Sequence, residues 1–208
     1  MLDIDIVQKM KLEVPFYLKN QLPDLYSWKE FENLINLRPF VNADRFIIAT
    51  EPPKVFNWPV QSWLTDINSF PPKLVNDILS KYVCYLRDCS RANKKINQIC
   101  NDIEAECGWV TDAHIYFSSN TDEIGFGKHN DGQHNLIVQV EGQSSVKVWS
   151  INDEIIIDAI MKPGDIVFIP KDIYHQIIPK TKRLSISFPC DINTNSPEAQ
   201  DRHWVEVL

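Results

Sequence analysis

Hydrophobic residues recur at helical spacing between residues 72 and 107. Two apolar stripes carry the pattern, the first made of Leu74, Ile78, Leu79, Tyr82 and Val83 and the second of Ile96, Ile99, Cys100 and Ile103. Pro72 suits the first turn of a helix, and Gly108 suits the position just past a helix end. The pattern predicts helix from Pro72 to about Cys107, with both stripes packed in the core.

After Gly108 the chain changes to short segments rich in β-branched and aromatic residues. Seven such segments lie between residues 113 and 188: AHIYFSS, HNLIVQV, SVKVWSI, EIIIDAI, DIVFIP, HQIIP and RLSISF. Turn-forming residues separate several of them, at 120–122, 141–143 and 163–165. The pattern predicts a mainly β fold, a small antiparallel barrel or jelly roll packed by helices from the N-terminal part.

The length of 208 residues suits a single domain. Within it we expect a helical, aromatic-rich flank at 1–108, the β-barrel core at 109–190 and a polar tail at 191–208. Residues 1–70 are predicted to be irregular, apart from one strand at 46–50. The sequence leaves open whether Trp58 and Trp63 cover a substrate.

Charge and cysteine usage narrow the classes of function. The net charge of −7 disfavours a nucleic-acid partner, because phosphate contacts need clustered Lys and Arg. The N-terminal segment is acidic and predicts no signal peptide, and no apolar run approaches the roughly 18 residues of a membrane helix. The five cysteines form no CxxC pair, which predicts reduced thiols in a cytoplasmic protein without a membrane partner.

A candidate metal site lies in the stretch GFGKHNDGQHNLIVQVEG, residues 125–142. His129 and Asp131 are two residues apart, so on a strand both side chains point the same way. His175 opens a later segment and can supply a third ligand. Two histidines and one carboxylate leave three positions of an ion open, which suits Fe(II) oxygen chemistry, whereas structural zinc takes four protein ligands.

Each of the other histidines has an ordinary structural interpretation. His134 has the opposite parity to His129 and is expected to face outward or lie in a loop. His114 is expected to be structural, although a place behind the metal ligands is an alternative. His203 is expected on the surface of the tail.

The spacing of the candidate ligands resembles that of cupins. Cupins carry a first motif Gly-x5-His-x-His-x3,4-Glu-x6-Gly and a second motif Gly-x5-Pro-x-Gly-x2-His. This chain has His129-x-Asp131-x3-Asn135-x6-Gly142, followed by Gly164-x5-Pro170-x-Asp172-x2-His175. With Asp, Asn and Asp at these three positions, the chain resembles the JmjC branch of cupins, the Fe(II)- and 2-oxoglutarate-dependent oxygenases. It is most similar to the ribosomal-oxygenase and asparaginyl-hydroxylase type. The resemblance covers residues 111–190.

The resemblance implies that 2-oxoglutarate chelates the metal and that a buried cation holds its far carboxylate. JmjC enzymes commonly use a Lys at the position that Ser144 matches here. Lys147 could replace it, but its odd offset places it on the opposite face of the strand. Arg183 is the favoured anchor, because it shares parity with Ser185 and can form two parallel hydrogen bonds to a carboxylate.

Two further residues are candidates for co-substrate contact. Tyr116 lies on the strand before the metal ligands, where the family often places a hydroxyl. Asn135 shares parity with His129 and Asp131. Either side chain could equally satisfy a buried backbone group.

The sequence therefore predicts an Fe(II)- and 2-oxoglutarate-dependent oxygenase with no catalytic residue beyond the metal ligands. Its substrate is expected to be an amino-acid side chain of a peptide or protein, or a small amino-acid-like molecule. Two alternatives stay open: a metal cupin enzyme that does not use 2-oxoglutarate, and a non-catalytic metal-binding cupin module. A homodimer is also left open.

Overall fold

The computed structural model describes residues 2–35, 46–49, 80–119, 121 and 125–191, together with the backbone of 54–55. The helices are α1 (Ile4–Met10), α2 (Trp28–Ile35) and α3 (Lys94–Cys107). The strands are β1 (Phe16–Leu18), β2 (Phe46–Ile48), β3 (Lys54–Val55), β4 (Cys84–Leu86), β5 (His114–Ser118), β6 (His134–Glu141), β7 (Ser144–Trp149), β8 (Ile155–Met161), β9 (Ile166–Ile169), β10 (His175–Pro179) and β11 (Arg183–Cys190). Predictions for Trp58, Trp63, His203 and 72–79 lie outside the described residues.

Two antiparallel sheets form the core of the protein. The larger sheet has the order β1-β9-β6-β11-β5-β4-β2-β3, and the smaller has the order β10-β7-β8. A cluster of apolar side chains from β6 and β9 packs against others from β7 and β8, which holds the two sheets face to face. The prediction of a mainly β jelly roll is confirmed, and the seven predicted segments correspond to β5 through β11.

The central strands of the larger sheet are buried on both faces. All eight residues of β11 are buried, as are seven of the eight residues of β6. The even-numbered residues of both strands pack with the helices, while Asn135, Ile137, Arg183, Ser185 and Ser187 line a cavity between the sheets. Alternation along a strand therefore directs one set of side chains to the helical core and the other to the barrel interior.

The prediction that residues 1–70 are irregular is wrong in the described part, although the strand expected at 46–50 is present as β2. Asp3 caps α1 by accepting a hydrogen bond from the backbone of Asp5. Ser27 and Glu30 form a reciprocal cap at the start of α2, where the Ser27 hydroxyl accepts from the Glu30 amide and donates to the Glu30 carboxylate. These caps satisfy amides that the first helical turn leaves unpaired.

The predicted helix from Pro72 to Cys107 is also corrected. Residues 84–86 form strand β4, and the helix α3 begins only at Lys94, after the N-cap Asn93. A short apolar run is ambiguous between helix and strand, and here pairing of β4 with β2 and β5 decides it. The end of the helix agrees with the prediction, because Gly108 adopts a left-handed conformation at φ 72°.

The cysteines form no disulfide bond. All five cysteines are free thiols, and burial raises the pKa of Cys84 to about 12. Such buried thiols behave as small apolar side chains.

Within the described residues, no helix combines the length and the apolar character needed to cross a membrane.

Gly142 is the glycine whose replacement we expect to destabilise the barrel most. It has φ +71°, and an added Cβ would overlap the carbonyl oxygen of Lys182 and lie 2.7 Å from the hydroxyl of Thr181. Gly142→Ala is expected to lower the free energy of unfolding by about 2–4 kcal/mol, from backbone strain and overpacking together. Denaturant unfolding measures the loss.

Gly108→Ala is the matched control for Gly142→Ala. Gly108 has nearly the same φ, +72°, but an added Cβ there would meet no atom within 4 Å. We expect a loss of about 1 kcal/mol, the cost of the left-handed conformation alone. Equal losses at the two positions would contradict the assigned overlap with Lys182.

Candidate metal and co-substrate site

The segment that carries His129 and Asp131 is extended but lies before β6. His129 and His175 pair through their backbones, with N···O distances of 3.0 and 2.7 Å. The carbonyl of Asp131 accepts a hydrogen bond from the amide of Asp172 at 2.8 Å. The expectation that the pair belongs to the strand of residues 134–141 is corrected, because the chain bends at 132–133 and His129 pairs with the start of β10 instead.

The two imidazoles are oriented by the backbone. Nδ1 of His129 lies 3.1 Å from the carbonyl of Gly127, and Nδ1 of His175 lies 3.1 Å from the carbonyl of Ile173. A carbonyl only accepts, so each Nδ1 carries the proton and each Nε2 keeps its lone pair for a metal. Burial lowers the pKa of His175, which favours the neutral imidazole that binds metals.

The three predicted metal ligands converge. Nε2 of His129 lies 3.9 Å from Oδ1 of Asp131, and Nε2 of His175 lies 3.6 Å from Oδ2 of Asp131. One potential ligand atom from each residue lies within 4.8 Å of the others. Two imidazole nitrogens and one carboxylate oxygen fit a facial Fe(II) site that keeps open positions.

Arg183 occupies the barrel interior as a buried cation. The residue is only 3% exposed, and its Nη1 donates to the hydroxyls of Ser144 at 3.4 Å and Ser185 at 3.2 Å. Burial lowers the pKa of Arg183 to about 10, so the guanidinium stays charged at neutral pH. Its Nε has no hydrogen-bond partner, and no carboxylate of the described residues pairs with it. A buried cation of this kind needs an anion.

One cavity contains both the metal ligands and Arg183. Fourteen of the described residues line it, including all three metal ligands and the predicted Tyr116, Asn135, Arg183 and Ser185. The structure therefore places seven of the eight candidate site residues around one cavity. The eighth, Lys147, is not among the lining residues.

Lys147 points away from the cavity, which corrects the expectation that it could serve as an alternative anchor. It lies on the outer face of β7, its side chain is 42% exposed and it pairs with Asp158 at 3.8 Å. Its neighbours Val146 and Val148 are the residues that face the barrel interior. The parity of the strand accounts for this placement.

Aromatic side chains form one wall of the cavity. Tyr116 stacks on Tyr85 with ring centroids 4.8 Å apart, and Phe126 lies 5.2 Å from the ring of His129. The Arg183 guanidinium is 5.9 Å from the ring of Tyr116. Burial raises the pKa of Tyr116 well above its ordinary value, so its hydroxyl stays protonated and can donate a hydrogen bond.

His134 is the histidine whose predicted position is wrong. Instead of facing outward, it is fully buried on the helical side of β6 and stacks on Trp109 at 4.6 Å. Its Nδ1 accepts a hydrogen bond from the amide of Lys171. The parity argument placed it correctly on the face opposite to the site, but that face is covered by the helical core.

His114 follows its structural interpretation. It is buried on β5, and its Nε2 lies 3.3 Å from Oδ2 of the buried Asp112. Asp112 in turn accepts hydrogen bonds from the amides of Asp88 and Ser90. The pair therefore ties β5 to the loop that precedes α3.

The sequence analysis assigned no role to three residues of the site. Ser187 donates to Asn135, Ser144 contacts Arg183, and Phe126 packs beside His129. Ser187 has the same parity on β11 as Arg183 and Ser185, and that signal could have assigned it to the cavity. The contact between Ser144 and Arg183 forms between segments distant in the chain, and nothing in the local pattern marks Phe126, three residues before His129.

The fold and the site together resemble one class of protein. An antiparallel jelly roll that gathers two histidines and an aspartate in its interior is similar to the fold of JmjC-type cupins. A family model described as the JmjC domain matches residues 144–199, a range that includes His175 and Arg183. The resemblance drawn from the sequence motifs is confirmed.

Among solved structures, the chain is similar to YcfD, a ribosomal oxygenase from Escherichia coli. The YcfD complex with cobalt and succinic acid is 18% identical with a TM-score of 0.58, and the match covers 87% of this chain and 49% of that one. For the complex with cobalt and 2-oxoglutarate the values are 17%, 0.58, 88% and 49%. A further YcfD structure gives 15%, 0.62, 94% and 54%.

The likeness to YcfD extends to the fold alone at this level of identity. The chain spans about half the length of the YcfD structures that it matches. No curated protein matches the chain in sequence. What the site does must therefore be argued from its own residues.

Proposed function

We propose that this protein is an Fe(II)- and 2-oxoglutarate-dependent oxygenase that hydroxylates an amino-acid side chain. The observation that carries the proposal is the buried Arg183, which shares one cavity with His129, Asp131 and His175. A metal-binding group alone would suit many cupin enzymes. A buried guanidinium without a carboxylate partner in the described residues adds the need for an anionic co-substrate.

His129, Asp131 and His175 would hold the iron, which supplies oxygen activation when bound. In the overall reaction, one oxygen atom of O2 enters the substrate as hydroxyl and the other enters succinate, while 2-oxoglutarate loses CO2. The three side chains leave open positions for the co-substrate and for oxygen. The backbone bonds to both Nδ1 atoms fix the tautomers that this ligation requires.

Arg183 would bind the far carboxylate of 2-oxoglutarate, and neighbouring hydroxyls would complete its hydrogen bonds. Ser185 already lies 3.2 Å from Nη1 of Arg183, and Tyr116 presents a protonated phenol in the same cavity. The aromatic wall of Tyr116 and Phe126, backed by Tyr85, would exclude water from the reacting atoms. Charge pairing in this enclosed space is stronger than at the surface.

A peptide or protein substrate is the form that we favour. The support is the likeness to YcfD, a ribosomal oxygenase, and the alternative is a small amino-acid-like molecule. Phe126 and Gly127, which line the cavity, are only half-buried and precede the exposed Lys128. A side chain presented from outside would enter on that side.

The test is production of succinate. Purified protein with Fe(II), 2-oxoglutarate and oxygen is expected to release succinate, and to do so faster with a substrate peptide. Mass spectrometry of candidate peptides and amino acids would then show the gain of one oxygen atom. No succinate with any candidate, coupled or uncoupled, would overturn the proposal.

The second candidate is a metal cupin enzyme that does not use 2-oxoglutarate. One observation favours it, the Ser144 at the position where JmjC enzymes commonly carry a lysine. Tight metal binding without any stabilisation by 2-oxoglutarate would support this candidate. The same measurement with no turnover of any kind would support a binding module.

A further inference from the structure

A short chain of hydrogen bonds runs from β11 to the candidate metal ligand Asp131. The hydroxyl of Ser187 donates to Oδ1 of Asn135 at 2.9 Å. Nδ2 of Asn135 then donates to Oδ2 of Asp131 at 2.7 Å. Both Asn135 and Ser187 are 5% exposed, so these bonds are shielded from water.

The direction of each bond fixes the next. The Asp131 carboxylate only accepts hydrogen bonds, so the end of the Asn135 amide that faces it is the nitrogen, and the amide oxygen then accepts from the hydroxyl of Ser187. Among the described residues, Asn135 is the one hydrogen-bond donor to the Asp131 carboxylate. Asp131 lies just before the bend at 132–133, and a third of its side chain is exposed, compared with 4% for His175, so fewer neighbours hold its carboxylate in place.

We propose that Asn135 is a positioning residue for Asp131, and that Ser187 sets the orientation of Asn135. This role replaces the direct co-substrate contact expected for Asn135, and it rests on the proposed metal site. Partners of this kind orient a ligating carboxylate before the ion arrives, and their loss typically lowers metal affinity about 10–100-fold. The effect should appear in the absence of 2-oxoglutarate.

The experiment is a titration of metal-free protein with Co(II) in the absence of 2-oxoglutarate. Asn135→Ala is expected to weaken Co(II) binding by about 10–100-fold. Ser187→Ala keeps the amide but frees it to rotate, so about a fivefold loss is expected, the effect of one hydrogen bond. Ser187→Thr restores the hydroxyl and should return the affinity to within about threefold of the unsubstituted protein.

Ser185→Ala is the matched comparison for Ser187→Ala. Ser185 lies on the same face of β11 but contacts Arg183 instead of Asn135. Its loss should weaken 2-oxoglutarate binding and leave Co(II) affinity within about twofold, well below the effect of a residue that orients a ligand. Melting temperatures of the metal-free variants separate a loss of fold from a loss of metal affinity.

Three outcomes would overturn the inference. Unchanged Co(II) affinity in Asn135→Ala with weakened 2-oxoglutarate binding would make Asn135 a co-substrate ligand. Lower melting temperatures with unchanged Co(II) affinity would make the chain of bonds purely structural. No Co(II) binding by the unsubstituted protein would overturn the proposed function as well, and that failure is recognisable because it precedes any substitution.

Discussion

His175→Ala is expected to weaken Co(II) binding by more than about 100-fold, beyond the loss caused by residues that merely orient a ligand. His175 supplies one of three ligand atoms, and its removal leaves His129 and Asp131 on a bent, partly exposed segment. The backbone bonds between residues 129 and 175 do not depend on the imidazole, so the segment should keep its place. Titration of metal-free protein with Co(II) measures the loss.

The matched control is His134→Ala, the same truncation at another buried histidine. His134 faces the helical core between Trp109 and Phe168 and does not line the cavity. Its loss should lower the free energy of unfolding by about 2–3 kcal/mol, through a cavity and lost stacking, and leave Co(II) affinity nearly unchanged. A comparable loss of Co(II) affinity in both variants would place the metal elsewhere.

The strands of the barrel and the metal ligands were predictable because their signals are local or regularly spaced. Each of β5 through β11 carries its own β-rich run with turn residues beside it. His129, Asp131 and His175 were found from motif spacing, although the supposed strand under the first two proved to be a segment bridged to β10. The three side chains still converge as predicted, but a backbone bridge to β10, rather than a continuous strand, holds the first two in place.

The two wrong predictions share a cause, because each depends on contacts with distant parts of the fold. His134 was assigned outward from parity alone, but helices cover that face of β6. Residues 84–86 were read as helix, but pairing with β2 and β5 makes them a strand. Neither the cover nor the pairing partner is visible in the local pattern.

The proposed anchor of the co-substrate, Arg183, lies beside the position where JmjC enzymes commonly carry a lysine. Ser144, which stands where related enzymes commonly carry a lysine, lies 3.4 Å from Nη1 of Arg183. A small side chain on β7 leaves room for a large one from β11. In the proposed function, the guanidinium beside Ser144 would supply the charge that the lysine supplies in those enzymes.

Arg183→Ala is accordingly expected to weaken 2-oxoglutarate binding by about 100-fold in the Co(II)-loaded protein, the effect of losing a buried, charge-assisted pair. Co(II) affinity should change little, because Arg183 contacts none of the three metal ligands by a hydrogen bond. Calorimetry with 2-oxoglutarate measures the effect. Lys147→Ala is the control and should bind 2-oxoglutarate normally, since Lys147 pairs with Asp158 outside the cavity.

A second substitution tests whether 2-oxoglutarate binding needs Arg183 itself or only a cation at this place in the cavity. Ser144→Lys in the Arg183→Ala background returns a cation to the same space from β7, and we expect it to recover about tenfold of the lost affinity, a part of the charge-assisted bond. Loss of 2-oxoglutarate binding in Lys147→Ala, with normal binding in Arg183→Ala, would contradict the assignment.

Arg183→Met separates a cation kept for function from one kept for stability. In the protein without 2-oxoglutarate, the guanidinium is buried without an anionic partner among the described residues. Replacing it with an apolar side chain of similar length should leave the free energy of unfolding equal or raise it by about 1 kcal/mol. The stabilisation that 2-oxoglutarate gives to the Co(II)-loaded protein should disappear in the same variant. A large loss of stability in the ligand-free variant would instead make Arg183 part of the scaffold.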